Sequence, residues 1–192
     1  MNTGVDDVMV AYPLFQTDSG GSIPTSAHQL WIDEVCVETA CGLCKKWHSR
    51  LPIVKPSNIY RNKYQVCYTA EYKHQFFAVA IWSSPVSRHL DPQKTIELRR
   101  MAICDSAPKN TASRMISVMI KKIMAKFPSL NRAVSYQDTE VHTGTIYKAS
   151  GWVATQITKG ADWNVSRDRD ASQSTADKIR WEYQLRRKDG VR

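Results

Sequence analysis

The chain has 192 residues, 42% of them hydrophobic, which suits one domain with its own core and excludes disordered and collagen-like chains. It carries 27 Lys and Arg against 18 Asp and Glu, a net charge of +9. The surface should therefore attract a polyanion.

Nucleic acid and anionic membrane are the two obvious polyanions. No apolar run reaches the roughly 18 residues that span a bilayer. Asp6 and Asp7 stand where a signal peptide would carry its basic start. We expect an intracellular protein, in the cytoplasm and away from the membrane, with its five cysteines reduced.

Polar, Gly-rich and Ser-rich sequence at 1–27 indicates an N-terminal arm or loop region, followed by a single domain at 28–192. Apolar spacing over 29–51 predicts one or two helices, which Pro52 ends. The stretches YQVCYTAEY and QFFAVAIWSS predict a pair of strands, and TIELRRMAIC predicts a third.

A strongly periodic segment, ASRMISVMIKKIMAKF, predicts a helix that ends at Pro128. The buried strand AVSY follows, and TEVHTGTIYKASGW predicts a short helix with Gly151 after its last turn. A final strand is predicted at KIRWEYQL, after a long polar loop at 159–178.

The strand, turn and helix formed by ELRRMAI, CDSAPKNTAS and RMISVMIKKIMAKF could bind phosphate at the start of the helix. An ordinary connection between a strand and a helix would look similar. If a cofactor binds there, Thr111, Ser113 and Arg114 are its candidate contacts. Helix capping is the alternative role for the two hydroxyls.

Together with the downstream ending Tyr147-Lys148-Ala149-Ser150-Gly151-Trp152, this unit resembles the GNAT acetyltransferase superfamily. The resemblance implies an α/β (α+β) fold, with a mixed, mostly antiparallel central sheet flanked by helices. It also implies an acetyl-CoA-like donor, with Tyr147 protonating the departing thiolate. One departure is that Lys109-Asn110-Thr111-Ala112-Ser113-Arg114 has no glycine at the positions where the superfamily has them.

Within that superfamily a closer resemblance rests on four segments, which are ELRRMAICDSAPKNTASRM, YQDTEVHTGTIYKASGW and the upstream WIDEVC and KKWHSRLP. These segments resemble the Mom family of phage DNA-modification proteins. That resemblance implies an enzyme that converts adenine in double-stranded DNA to N6-carbamoylmethyladenine and protects phage DNA from host restriction. It also implies iron, without assigning the ligands.

Chemistry at the amine of adenine requires the base to leave the stack and a group that accepts a proton. Asp138 follows a buried strand and is a candidate for that group, or else the N-cap of a helix that begins near Thr139. Tyr147 is a candidate acid, because a phenol pKa near 10 suits a thiolate leaving group. A core aromatic is its alternative role.

Alternation along a strand places Arg99 and Arg100 on opposite faces, and Arg100 is our choice for the site by its position in the Mom-like segment. Cys41, Cys44 and His48 share one helical face and could bind a transition metal, although such a stripe is more often core. His48 is independently a candidate catalytic or base-contacting residue.

Basic residues alternate with aromatic ones in three clusters that could hold phosphates and a flipped base. Solvated surface is the alternative for each cluster. The clusters are Lys45, Lys46, Trp47, His48 and Arg50; Tyr60, Arg61, Lys63 and Tyr64; and Arg186, Arg187 and Lys188.

Two other functions remain open for the chain. One is acetyl-CoA-dependent acetylation of a protein or small amine, and the other is that of a DNA-binding module without catalysis.

Overall fold

A computed structural model describes residues 21, 23–47, 54–160 and 176–185. Most of the predicted arm and of the predicted polar loop lie outside these residues, as does His48. A short 3-10 helix at Ala27–Gln29 precedes the strands and helices, which are β1 (Trp31–Val35), α1 (Val37–Trp47), α2 (Pro56–Tyr60), β2 (Gln65–Tyr72), β3 (Gln75–Ser83), β4 (Thr95–Ile103), α3 (Thr111–Lys126), β5 (Arg132–Asp138), α4 (Thr145–Ala149), β6 (Val153–Thr158) and β7 (Lys178–Gln184).

All seven of these strands form one sheet in the order β1-β2-β3-β4-β5-β7-β6. Every neighbouring pair is antiparallel except β4 and β5, which run parallel because α3 crosses between them. The predicted α+β fold with a mixed, mostly antiparallel sheet flanked by helices is confirmed. No helix in the described part of the chain is long and apolar enough to cross a bilayer.

The predicted strand pair is β2 and β3, and the predicted periodic helix is α3, which ends before Pro128. The helical interpretation of 29–51 is wrong at its start, where β1 forms. Buried Ile32 lies between exposed Trp31 and Asp33, an alternation typical of a strand that is buried on one face. Helix α1 then occupies the rest of the described segment.

The two faces of the sheet are covered by different helices. Helix α1 packs on β2, β3 and β4, where its Ala40 and Cys44 meet Ile81 and Ala102; we call this the α1 face. Helix α3 buries its apolar stripe against the other face, which we call the α3 face. Its core residues there are Met115, Ile116, Met119, Ile120 and Ile123, packed with the sheet residues Val66, Tyr68, Ala78, Ala80, Trp82 and Leu98.

The feature that positions the site is a fork between β4 and β5. Their parallel ladder runs from Thr95 opposite Arg132 to Leu98 opposite Ser135 and ends there. Strand β4 nevertheless continues to Ile103 on β3, and β5 continues to Asp138 on β7. The carboxyl-terminal halves of the two strands therefore separate.

A β-bulge in β4 lies at the same level. Ile81 pairs with Arg100 and the next residue, Trp82, pairs with Leu98, so Arg99 is an extra residue in the ladder. The bulge interrupts the alternation on which the prediction of opposite faces for Arg99 and Arg100 rested. As a result Glu97 and Arg100, three residues apart, both lie on the α1 face.

Candidate active site at the fork between β4 and β5

Tyr147 reaches the base of the fork from the α3 face. Its Oη lies 2.8 Å from the Oγ of Ser135, the last residue of β5 that pairs with β4. Ser135 in turn donates to the carbonyl oxygen of Leu98 at 3.2 Å. Because a serine hydroxyl has a single proton, that bond leaves Tyr147 to donate its own proton to Ser135.

Aromatic packing holds the Tyr147 ring in place. The ring stacks on Trp181 with centroids 5.3 Å apart and lies 5.6 Å from Trp152. Burial raises the pKa of Tyr147, and its hydrogen bond with Ser135 offsets part of that shift. The phenol is therefore protonated at neutral pH, as a general acid must be, while the ring also belongs to the core, so both predicted roles are compatible.

Gly144, immediately before α4, sets the approach of that helix. It has a φ of +75°, and a Cβ there would lie 2.5 Å from Oε1 of Gln137 and 2.6 Å from Cζ2 of Trp181. Gln137 accepts the indole N–H of Trp181 at 2.7 Å. Close packing against this pair therefore requires glycine.

Gly144→Ala is expected to lower the free energy of unfolding by about 3 kcal/mol, from the left-handed backbone and the overlap. Gly42→Ala is the matched control: Gly42 lies within α1 with no atom within 4 Å of its new Cβ, so a gain of about 0.5–1 kcal/mol is expected. Urea unfolding of both variants measures the difference. Equal stability of the two variants would contradict this account.

Glu97 is a functional candidate that the sequence reasoning missed. It lies on the α1 face, one residue before Leu98, and is 7% exposed. The backbone N–H of Val86 donates to its Oε2 at 2.9 Å. Burial raises the pKa of Glu97, against opposing contributions from that N–H and from Arg99 and Arg100. A carboxylate in an apolar strand, TIELRR, was the available signal.

Arg100 lies beside Glu97 on the α1 face and is half-buried. Its Nη1 donates to the carbonyl oxygen of Arg99 at 2.7 Å, and burial lowers its pKa. Tyr136 of β5 lies on the same face and interacts with Glu97 electrostatically. Arg100 and Glu97 thus lie on the α1 face at the fork, and the phenol of Tyr147 lies on the α3 face.

Asp138 is the last residue of β5, pairs with Lys178 and is half-buried. The prediction that it caps a helix beginning near Thr139 is wrong, because α4 begins at Thr145. Asp138 instead closes a turn, in which its Oδ1 accepts the N–H of Glu140 at 3.0 Å. Its catalytic role stays a prediction.

The start of α3 lies beyond the carboxyl end of β4. Asn110, before the helix, has a φ of 67° and makes no side-chain cap. Asparagine is among the residues that adopt this left-handed backbone most readily. Thr111 is buried and donates to the Pro108 carbonyl at 2.7 Å, and Ser113 donates to the Asn110 carbonyl at 3.2 Å. Neither hydroxyl caps a helix N–H, so neither plays the alternative capping role.

Two orphaned donors on the α3 face fit a coenzyme A group. The Nε of Arg114 and the indole N–H of Trp152 are both buried without a hydrogen-bond partner. Arg114 is in the first turn of α3, where free backbone N–H groups favour a phosphate, and Trp152 touches Tyr147 at the fork. A bound phosphate and a bound carbonyl would satisfy these donors.

The two described cysteines of the predicted metal set lie in the core. Cys41 and Cys44 are buried among apolar side chains under α1, and burial raises the pKa of Cys44 to about 12, which favours its protonated thiol. The third predicted ligand, His48, and its predicted catalytic role fall outside the described residues. Within those residues, no three His, Cys, Asp or Glu side chains are grouped to hold a metal.

Comparisons with known proteins give a family and a fold. The profile of the Mom protein family matches residues 32–188. No protein among those with curated functions matches the sequence.

Two solved structures illustrate the fold. A GNAT family acetyltransferase from Elizabethkingia anophelis, with acetyl-CoA bound, aligns with a TM-score of 0.57 at 15% identity over 81% of this chain and 98% of its own. A spermidine N-acetyltransferase from Vibrio cholerae aligns with a TM-score of 0.60 at 10% identity over 82% of this chain and 95% of its own. These identities support the shared fold alone.

Proposed function

Because the chain belongs to the Mom protein family and has the GNAT fold, we propose that it is a transferase that modifies adenine in double-stranded DNA. The proposed product is N6-carbamoylmethyladenine, and the proposed benefit is protection of phage DNA from host restriction. In this reaction N6 of adenine bonds to the methylene carbon of a carbamoylmethyl donor, the bond from that carbon to its leaving group breaks with the electron pair going to the leaving group, and N6 loses a proton.

The fork is the observation that carries the proposal. Tyr147 and Glu97 occupy opposite faces of the sheet at the level where β4 and β5 separate. A donor on the α3 face and an amine on the α1 face could meet through the opening between them. A donor bound on the α3 face would have to carry its leaving group on the methylene carbon of a carbamoylmethyl unit, because simple acyl transfer from a coenzyme A thioester would give an N6-acyl adenine instead.

The residues of the chain divide the proton chemistry between the two faces. Glu97 accepts the proton that N6 loses, a task that its raised pKa favours. Tyr147 holds a proton at its Oη for the leaving group. If the phenol gives up that proton, the Ser135 hydroxyl can turn from the Leu98 carbonyl to the phenolate and stabilise it.

A basic surface beside the α1 face supports DNA as the substrate. From 39 to 70 the sequence has six Lys and Arg and no Asp or Glu. Within this stretch Lys45 lies in the last turn of α1, and Lys55 and Arg61 flank α2, all three with exposed side chains. Neutralised phosphates would release counterions and give salt-dependent binding.

Replacing Lys45, Lys55 and Arg61 by Gln is expected to weaken duplex binding and to flatten the dependence of log K on log salt. The slope should fall by about 2 to 3, because each lost phosphate contact removes about 0.9. Fluorescence anisotropy with a labelled duplex between about 50 and 200 mM salt measures it.

The matched control removes three charges from the opposite side, at Lys121, Lys122 and Lys126 of α3. Lys122 and Lys126 lie against Asp33 and Glu34 of β1. This variant should keep the wild-type slope. An equal loss in both variants would mean that net charge, and not the α1 side, governs DNA binding.

Expression of the full chain in bacteria, followed by nucleoside mass spectrometry of the digested DNA, tests the function. We expect an adenosine heavier by one carbamoylmethyl group. An unmodified nucleoside profile from folded protein would overturn the proposal. An acetylated protein or polyamine would then indicate an ordinary acetyltransferase, whereas salt-dependent DNA binding alone would indicate a binding module.

A further inference from the structure

The loop at 84–90, part of the connection from β3 to β4, is attached to the α1 side of the fork through Glu97. The N–H of Val86 donates to the Glu97 carboxylate, as described above. Any motion of the loop would therefore disturb the carboxylate that is proposed to accept the amine proton.

Internal contacts also hold the loop in shape. Leu90 is 5% exposed and anchors its end in the protein, while its N–H donates to the Ser87 carbonyl at 3.2 Å. Pro85 restricts the backbone before Val86. These contacts hold the loop in place on the α1 face, where the adenine amine is proposed to bind.

Val86 itself is 63% exposed, although it lies between the half-buried Pro85 and Ser87. Arg88 and His89, which follow, are exposed too. The loop therefore presents one apolar side chain next to groups that suit a phosphate backbone. A single exposed valine is ordinary by itself, but one whose backbone N–H bonds a buried carboxylate is not.

An adenine that turns out of a duplex leaves a gap, and unstacking costs a few kcal/mol unless a side chain fills the space. We propose that Val86 is a positioning residue that enters this gap as a wedge while the adenine amine reaches Glu97. This inference rests on the proposed function. The hydrogen bond between Val86 and Glu97 would couple insertion of the wedge to placement of the amine.

Val86→Ser tests the wedge, because it removes the apolar side chain and keeps the backbone N–H that Glu97 accepts. Val153→Ser is the matched control: Val153 is 65% exposed, on edge strand β6. In bacteria, Val86→Ser should lower modified adenine by about tenfold or more, and Val153→Ser by less than about twofold.

Purified protein separates a wedge from a structural role. The probe is a duplex with 2-aminopurine in place of the adenines of one strand, compared with the same strand in a mismatched bubble. Wild-type protein and Val153→Ser should raise the fluorescence of both DNAs. Val86→Ser should lose the rise on the duplex and keep it on the bubble, where the bases are already unpaired.

Wild-type activity in Val86→Ser, or loss of its signal on the bubble as well, would overturn the wedge. So would a wild-type protein that never unstacks the probe. If wild-type protein unstacks the probe and Val86→Ser does not, but no modified adenine forms in cells, the proposed function is wrong and the role of Val86 as a wedge is supported.

Discussion

Tyr147→Phe is expected to lower the modified adenine formed in cells by about 10²- to 10⁴-fold, the usual contribution of a general acid. Phenylalanine keeps the stacking on Trp181 and Trp152 and removes only the hydroxyl that bonds Ser135. Ser135 still donates to Leu98, so stability should change by about 1 kcal/mol or less. Nucleoside mass spectrometry and thermal unfolding measure the two effects.

Tyr183→Phe is the control for this variant. Its ring lies 5.9 Å from Trp152, against the same aromatic cluster, but on β7 and away from the Ser135 hydroxyl. We expect activity within about twofold of wild type, since the proposed general acid, Tyr147, is kept. If Tyr147→Phe retained most of the activity, the tyrosine would be a core residue alone.

Glu97→Gln is expected to reduce modification by about 10²-fold or more, because glutamine cannot take the amine proton. The amide oxygen can still accept the N–H of Val86, so the 84–90 loop should keep its position. The same cellular assay measures the loss. Activity close to wild type would exclude this carboxylate as the proton acceptor.

The same substitution should raise stability at neutral pH. Burial raises the pKa of Glu97 in the folded protein, so the folded state binds its proton more tightly than the unfolded chain. Stability from this group is present below the unfolded pKa of glutamate and is lost as pH rises through the folded pKa. The melting temperature of Glu97→Gln minus that of wild type should therefore grow as pH rises above about 4, the ordinary pKa range of glutamate.

Asp138→Asn distinguishes the two carboxylates near the fork. The amide oxygen of asparagine can still accept the N–H of Glu140, so the turn after β5 should persist. If Glu97 accepts the proton, this variant should keep more activity than Glu97→Gln in the same assay. The reverse order would assign the proton to Asp138, as the sequence first suggested.

Sequence patterns predicted the elements whose signals are local. The period of α3, the apolar runs of β2 and β3, and Gly151 after α4, which has a φ of +76°, all appear as expected. The short helix that carries Tyr147 was also predicted, because its sequence has a recognisable ending. These features depend on residues close to one another along the chain.

Features that depend on distant pairing could not be predicted. Strand β1 forms because β2 offers it an edge to pair with, which the apolar spacing does not reveal. Glu97 becomes significant only because the loop at Val86 folds back onto it. The bulge at Arg99 depends on the register with β3, so simple alternation failed there.

That bulge also explains why the site can open at all. An extra residue bends a strand away from its neighbour, and here it comes directly after Leu98, the last residue of β4 in the ladder with β5. The opening thus depends on the length of the strand rather than on the chemistry of any side chain. Removing Arg99 should draw the two strands together along their whole length and close the passage, whereas exchanging Arg99 for another residue should leave it open.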